Sequence, residues 1–119
     1  MKKISEARLK CLNRLLERAV KFWCKDYCVS CDFNCKINNV HMSIWDRESY
    51  DNVIIFNFCY DDMEVKKFKK LTGKIISVLD ETENNGGVEG VIEKLPVNKY
   101  GFVNIDEFVR RWEDAQDDK

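Results

Sequence analysis

The chain has 119 residues, of which 45% are hydrophobic and 34% are charged, and its formal net charge is −1. This composition excludes intrinsic disorder and predicts one domain, over residues 1–119, with a sizeable apolar core. No apolar run reaches the length of a membrane span, and the first residues lack the apolar stretch of a signal peptide, so we expect a cytoplasmic protein.

Residues 5–27 have the periodicity of a long amphipathic helix, with Ser5 as its N-cap. Apolar side chains recur at steps of three and four residues, which predicts a stripe that faces the core. The stripe consists of Leu9, Leu12, Leu16, Ala19, Val20, Trp23 and Tyr27. A second apolar line lies beside the first and is available for another neighbour or a partner. It consists of Ile4, Cys11, Leu15 and Phe22.

Apolar and polar residues alternate from Val29 onward, which predicts a β-hairpin with strands over 29–37 and 40–44. Asn38 and Asn39 are predicted to form a two-residue turn, because asparagine tolerates a positive φ angle. The turn fixes which residues oppose each other across the two strands. The predicted pairs on the core side are Ile37 with Val40, Cys35 with Met42, and Phe33 with Ile44.

A third strand is predicted over 53–60, where both faces are largely apolar. A second helix is predicted over 62–81, because Asp61 and Glu64 match a capping box in front of a helical apolar stripe. The polar, glycine-containing segment 81–87 is expected to end that helix.

The last third of the chain is predicted to contain a strand over 91–97, a short strand at 102–103 and a final helix capped by Asn104. The element order is therefore α-β-β-β-α-β-β-α. This order predicts an α+β fold in which an antiparallel sheet has its helices packed mainly on one face.

Six cysteines raise the question of a metal site or a disulfide. The predicted alternation places Cys31 and Cys35 on the buried face of a strand, about 13 Å apart, which is too far to share one ion. We therefore expect reduced thiols in a reducing compartment, with no metal and no other cofactor. The alternatives are a zinc site formed by Cys24, Cys28 and Cys31 and, in an oxidising compartment, a disulfide.

The sequence contains no recognisable catalytic constellation. The single histidine, His41, is predicted on the solvent face opposite Lys36, and no activated nucleophile lies beside it. Phosphate-binding glycine loops, the dinucleotide-binding fingerprint and the H-E-x-x-H motif are all missing from the sequence. We therefore expect that the protein is not an enzyme.

Positive charge is concentrated on the two long predicted helices. Residues 1–28 sum to +5, whereas residues 75–119 sum to −6. The basic residues of each helix fall on a stripe away from its core side, and adjoining stripes would form a surface that could track phosphates. The predicted basic surface consists of Lys10, Arg14, Arg18, Lys21, Lys25, Lys66, Lys67, Lys70 and Lys74.

Two resemblances concern possible partners. The α-β-β-β-α order with its lysine cluster resembles a double-stranded-RNA-binding domain, which implies an RNA partner. That family places small residues behind the lysines of its second helix, where this chain has Lys69, Leu71 and Thr72. The eight-element order is also similar to that of class I type III secretion chaperones, which implies a homodimer that holds an extended client.

Large apolar side chains that the predicted elements do not bury favour a protein partner. The predicted contact residues are Leu15, Phe22 and Trp45. We therefore expect a small noncatalytic protein-binding module that occludes or regulates a larger partner, such as an inhibitor, immunity or adaptor protein of phage or bacterial origin. A homodimer is compatible with this expectation. The alternative is an RNA- or DNA-binding module that uses the basic stripes.

Overall fold

The computed structural model describes residues 4–61 and 63–112, and these residues form an α+β fold, as predicted. In chain order the elements are α1 (Glu6–Lys21), β1 (Tyr27–Asn34), β2 (Asn39–Asp46), β3 (Asn52–Cys59), α2 (Val65–Asn85), α3 (Glu89–Ile92) and α4 (Ile105–Arg111). Within the described ranges, no helix combines the length and the apolar character needed to cross a membrane.

The three strands form an antiparallel sheet in the order β1-β2-β3, and the helices cover one of its faces. Phe56 of β3 packs against Phe108 of α4, with ring centroids 5.1 Å apart, and Phe58 packs against Phe68 of α2 at 5.9 Å. In the helical layer, α1 contacts β1, α4 contacts β3, and α2 contacts α1, α3 and α4. The prediction of an antiparallel sheet with its helices on one face is confirmed.

The structure corrects the length and the rotation of α1. The helix ends at Lys21, six residues before the predicted end, although Ser5 caps it as predicted by accepting a hydrogen bond from the N–H of Arg8 at 3.3 Å. The buried side centres on the second apolar line: Leu15 is fully buried and Leu12 of the first line is also buried, whereas Leu16 is exposed. Two adjacent apolar lines fit the periodicity equally well, and only packing against α2 decides between them.

The predicted hairpin is present, but its register differs by four residues. Phe33 opposes Val40, where Ile37 was expected, because four residues, 35–38, connect the strands. Since the difference is an even number of residues, the strand residues keep their predicted faces. Cys35 and Ile37 lie exposed in the connection, so the prediction that Cys35 points into the core from a strand is wrong.

Asn38 explains why the connection is longer than predicted. Its φ angle is 54°, in the left-handed region that asparagine tolerates. The Asn38 side chain accepts a hydrogen bond from the Tyr60 hydroxyl at 2.9 Å and donates one to Asp61 at 2.7 Å. These contacts attach the β1–β2 turn to the end of β3, so the turn geometry depends on residues far away in the sequence.

The second helix spans Val65–Asn85 rather than 62–81. The predicted capping box is wrong: Glu64 occupies the N-cap position without a capping hydrogen bond from its side chain, and Asp61 bonds to Asn38 instead. Lys74 was predicted on the basic surface, but it is buried and its Nζ donates to the carbonyl of Trp112.

The predicted strand over 91–97 is wrong except at its end: residues 91–92 close α3, a turn and a bend follow, and only Val97 pairs, in an isolated bridge with Val103. Val91 and Leu95 are buried while Glu93 is exposed, whereas all three would share one face of a strand. Residues 101–103 pair with the outer edge of β3, where the N–H of Ile55 donates to the carbonyl of Gly101 at 2.7 Å. The final helix begins as predicted, since Asn104 accepts a hydrogen bond from the N–H of Glu107.

Candidate functional site

The three predicted contact residues lie in different environments. Leu15 is fully buried in the core, so its prediction as a contact residue is wrong. Phe22 is half-buried and packs against the core. Trp45 is half-buried on the sheet face opposite the helices, where its indole N–H donates to the Ser30 hydroxyl at 2.9 Å. Of the three residues, Trp45 belongs to a cluster of large side chains on the surface.

The surface that we call the aromatic end consists of two contacting pairs, Trp45 with Tyr50 and Trp23 with Arg47. It lies where β1 begins and β2 ends. The rings of Trp45 and Tyr50 are stacked, with centroids 6.0 Å apart and an interplanar angle of 25°. The guanidinium of Arg47 lies 6.0 Å from the ring centroid of Trp23. Tyr50 is 76% exposed and Trp23 is 65% exposed, so both present large apolar surfaces to a potential partner.

The turn that presents Tyr50 is fixed by Asp46. The Asp46 carboxylate accepts hydrogen bonds from the backbone N–H groups of Ser49 at 3.0 Å and Glu48 at 2.8 Å, and these bonds lower the pKa of Asp46. Tyr50 has a φ angle of 64°, which costs about 1–2 kcal/mol for a residue other than glycine. Its N–H donates to the carbonyl of Asp46 at 2.9 Å. A strained but well-bonded turn therefore holds the exposed ring in place.

The backbone around Trp23 is fixed as well. Its N–H donates to Glu83 of α2 at 2.8 Å, and this hydrogen bond lowers the pKa of the Glu83 carboxyl. The guanidinium Nε of Arg47 donates to the carbonyls of Cys24 at 3.2 Å and Tyr27 at 3.1 Å. The segment between α1 and β1 is thus bonded to α2 and to the turn after β2, so Trp23 is exposed on an ordered backbone.

An open cleft of about 450 Å³ adjoins the aromatic end, and its lining consists of Asp26, Tyr27, Asp46, Arg47 and Glu48. Burial, followed by nearby acidic groups of which Glu89 is the strongest, raises the pKa of Tyr27. Tryptophan, tyrosine and arginine are enriched where protein interfaces gain most of their energy. The acidic cleft favours a basic group on a partner that contacts the aromatic end.

The predicted basic surface is smaller than expected. Arg18 is bonded to α2 through Asp80 at 2.6 Å and Glu83 at 3.0 Å. Lys67 pairs with Asp106 at 2.7 Å. Lys21 similarly pairs within α1, with Glu17 at 2.9 Å. Four residues of the predicted basic surface are therefore ion-paired or buried: Arg18, Lys21, Lys67 and Lys74.

The remaining basic residues of α1 and α2 lie on adjoining parts of the two helices. The two helices are parallel, because Arg8 near the start of α1 donates to the carbonyl of Met63 just before α2 at 2.7 Å, while Arg18 reaches Asp80 further along. Five exposed basic side chains in the first halves of these helices make no ion pair with any other described residue. This basic patch consists of Lys10, Arg14, Lys66, Lys69 and Lys70. Lys25 is also exposed, but it lies beyond the end of α1.

The cysteines and the histidine do not converge on a site. No group of three potential metal ligands occurs within residues 4–61 and 63–112. Cys28 and Cys31 project to opposite faces of β1, and burial raises the pKa of the Cys31 thiol to about 11, with Asp32 adding to the shift. The thiol of Cys31 is therefore protonated at neutral pH and poorly nucleophilic. His41 opposes Asp32 rather than Lys36, because of the register difference.

Sequence reasoning missed three of the four residues of the aromatic end. Trp23 was assigned to the core stripe of the first helix, while Arg47 and Tyr50 lie between the second and third predicted strands, where no contact residue was predicted. The available signal was the presence of a tyrosine and an arginine close to Trp45 in a short connection, since binding residues are concentrated on loops that a rigid scaffold positions.

Comparison with protein family models, curated protein sequences and solved structures returns no match for this chain. Function must therefore be inferred from the chemistry of its surfaces.

Proposed function

We propose that this protein is a noncatalytic, cytoplasmic protein-binding module that docks a larger partner protein through the aromatic end. The observation that carries the proposal is the rigid presentation of two exposed aromatic side chains, Trp23 and Tyr50, on hydrogen-bonded backbone. An inhibitor, immunity or adaptor protein, of phage or bacterial origin, would act in this way by covering a surface of its partner.

The aromatic end has the energetic features of an interface rather than those of a solvated surface. Aromatic side chains bury a large area on binding and have few rotatable bonds to immobilise. Because the backbone of Trp23 and Tyr50 is already ordered, little further conformational entropy is lost when a partner covers them. Arg47 adds a cation beside the acidic cleft, which gives the surface polarity that can orient the partner.

The proposal is tested by comparing two tyrosines that are similarly exposed. Affinity capture from the native host, followed by mass spectrometry, identifies the partner, and its dissociation constant is then measured with purified proteins. We expect Tyr50→Ala to weaken binding about 30-fold or more, because a central aromatic contact contributes about 2 kcal/mol or more. Trp23→Ala should have a similar effect.

Tyr100→Ala is the matched control, since Tyr100 is 66% exposed and lies beside the outer edge of β3, away from the aromatic end. It should leave the dissociation constant unchanged. Circular dichroism of each variant checks that the fold is intact. Unchanged affinity in folded Tyr50→Ala and Trp23→Ala proteins would contradict the proposal.

A second candidate function is binding of nucleic acid through the basic patch. The observation that favours it is the adjoining position of five exposed basic side chains that lack ion pairs with the described residues. The resemblance of the α-β-β-β-α arrangement to double-stranded-RNA-binding domains makes duplex RNA the appropriate probe.

We expect labelled duplex RNA to bind with a strong dependence on salt, measured by fluorescence anisotropy. The double change Lys66→Gln and Lys70→Gln should weaken binding and reduce the slope of log affinity against log salt by about one for each phosphate that is no longer neutralised. Lys36→Gln with Lys99→Gln removes the same charge outside the patch and should have little effect. Equal reductions in affinity for both double variants, or no binding at low salt, would argue against this candidate.

A further inference from the structure

The outer edge of β1 is open among the described residues. The N–H of Arg47 donates to the carbonyl of Asp26 at 2.9 Å, and the alternation of an antiparallel ladder then directs the backbone groups of even-numbered β1 residues toward β2. The N–H and C=O groups of Val29, Cys31 and Phe33 therefore point away from the sheet. They bond to no other described residue, whereas the opposite edge, on β3, is bonded to residues 101–103.

An apolar side of α1 lies above this open edge. Leu9 and Arg18 are nine residues apart, or about 180° around the helix, and Arg18 bonds to α2, so Leu9 faces away from α2. Val20 lies on the same side and is 77% exposed. About a third of the helix circumference on this side contains no charged residue. This uncharged sector consists of Leu9, Leu12, Asn13, Leu16, Ala19 and Val20.

The inner face of β1 is incompletely covered beneath the same sector. Phe33 is 39% exposed, although Val40 directly opposite it on β2 is fully buried. Since α1 is the helix that contacts β1 and α2 lies on its other side, the uncharged sector extends outward over the edge of the sheet. One more strand beside β1 would complete both the backbone hydrogen bonding and the apolar packing.

We propose that a second copy of this chain supplies this strand. The β1 strands of two copies pair antiparallel around a two-fold axis at Cys31 and form one continuous sheet of six strands. Val29 then opposes Phe33 of the second copy, and about six backbone hydrogen bonds form along the outward-pointing residues. The two uncharged sectors lie on the same side of this sheet and cover each other, so one surface supplies both halves of the interface.

Charge complementarity identifies a second copy as the occupant and sets the register. With the axis at Cys31, the connection that follows β1 lies beside the start of β1 in the second copy, which brings Lys36 near Asp26 of the second copy. Both residues are exposed and neither has an ion pair with the described part of the chain. A shift by two residues in one direction places Asp32 against Asp32 of the second copy, and the opposite shift moves Lys36 away from Asp26 of the second copy. The uncharged sectors also meet without like-charge repulsion.

Sedimentation equilibrium measures the assembly. We expect the wild-type protein to have twice the monomer mass, and Val20→Glu to be monomeric, because it places a charge within the paired sectors, where water is excluded. Val20 is largely exposed in the single chain, so the monomeric variant should retain its circular dichroism spectrum. Tyr100→Glu introduces the same charge near the other edge of the sheet and should remain dimeric.

The register is tested by reversing charges. Lys36→Asp and Asp26→Lys should each weaken dimerisation several-fold, and the two changes combined should restore it, because the pair re-forms with opposite polarity. A wild-type protein that sediments as a monomer at high micromolar concentration, a folded Val20→Glu protein that stays dimeric, or a double variant without restored affinity would each overturn the proposal. Asp26 also lines the cleft beside the aromatic end, but the sedimented sample contains no partner protein, so these results are independent of partner binding.

Discussion

Replacing Leu15 by alanine is expected to destabilise the fold by about 2–5 kcal/mol, whereas the same change at the adjacent Leu16 should cost less than about 1 kcal/mol. The Leu15 side chain is fully buried among core residues, so truncation leaves a cavity and also forfeits the transfer free energy of the removed atoms. Leu16 is 37% exposed, and its truncation removes less buried apolar surface.

Urea unfolding followed by circular dichroism measures the free energy of unfolding of each variant. The two substitutions make the same chemical change in the same helix. The comparison isolates the rotation of α1, because helix propensity changes equally at the two positions. A larger destabilisation at Leu16 than at Leu15 would show that α1 buries the first apolar line, which contains Leu16, and not the line that contains Leu15.

Replacing Gly101 by alanine is expected to cost about 2–3 kcal/mol. Gly101 has a φ angle of 89°, where side chains other than that of glycine are strained, and a Cβ atom there would lie 2.7 Å from the carbonyl oxygen of Val53. That contact is with backbone of β3, which cannot move aside without disturbing the bonds between β3 and residues 101–103. The substitution therefore strains the segment that covers this sheet edge.

Gly73→Ala is the matched control, because Gly73 lies within α2 and a Cβ atom there would meet no atom within 4 Å. Alanine has a higher helix propensity than glycine, so this change should stabilise the protein by about 0.5–1 kcal/mol. Thermal unfolding should thus show shifts of opposite sign for the two variants. A Gly101→Ala protein as stable as the wild type would show that residues 101–103 are not held against β3.

The parts of the fold that depend on neighbouring residues could be predicted from the sequence. Alternation with period two located β1 and β2, an apolar run located β3, helical spacing located α1 and α2, and the Asn104 cap located α4. The register of β1 and the rotation of α1 could not be predicted in this way. They depend on contacts between distant residues, namely Asn38 with Tyr60 and Asp61, and Arg18 with α2.

The candidate site was less accessible to sequence reasoning than the fold. Trp45 was predicted as a large side chain that the elements do not bury, and it lies half-buried on the sheet face opposite the helices. Trp23 and Tyr50 come from two different connections, and their positions depend on the hydrogen bonds that Glu83 and Asp46 accept from the backbone. The exposure of Leu15 was predicted wrongly because it depends on the rotation of α1, which packing against α2 determines.

The charges along α2 oppose its own macrodipole. A helix has a partial positive charge at its beginning and a partial negative charge at its end, yet the first turn of α2 contains Lys66 and Lys67 and its last turn contains Glu83. Glu64 at the N-cap and Arg18, which pairs with Glu83, offset only part of this arrangement. Each such placement costs about 0.3–1 kcal/mol, so α2 depends on its buried apolar side for stability. An anion held by Lys66 would relieve part of this repulsion. Anion binding and the stability of α2 are therefore thermodynamically linked.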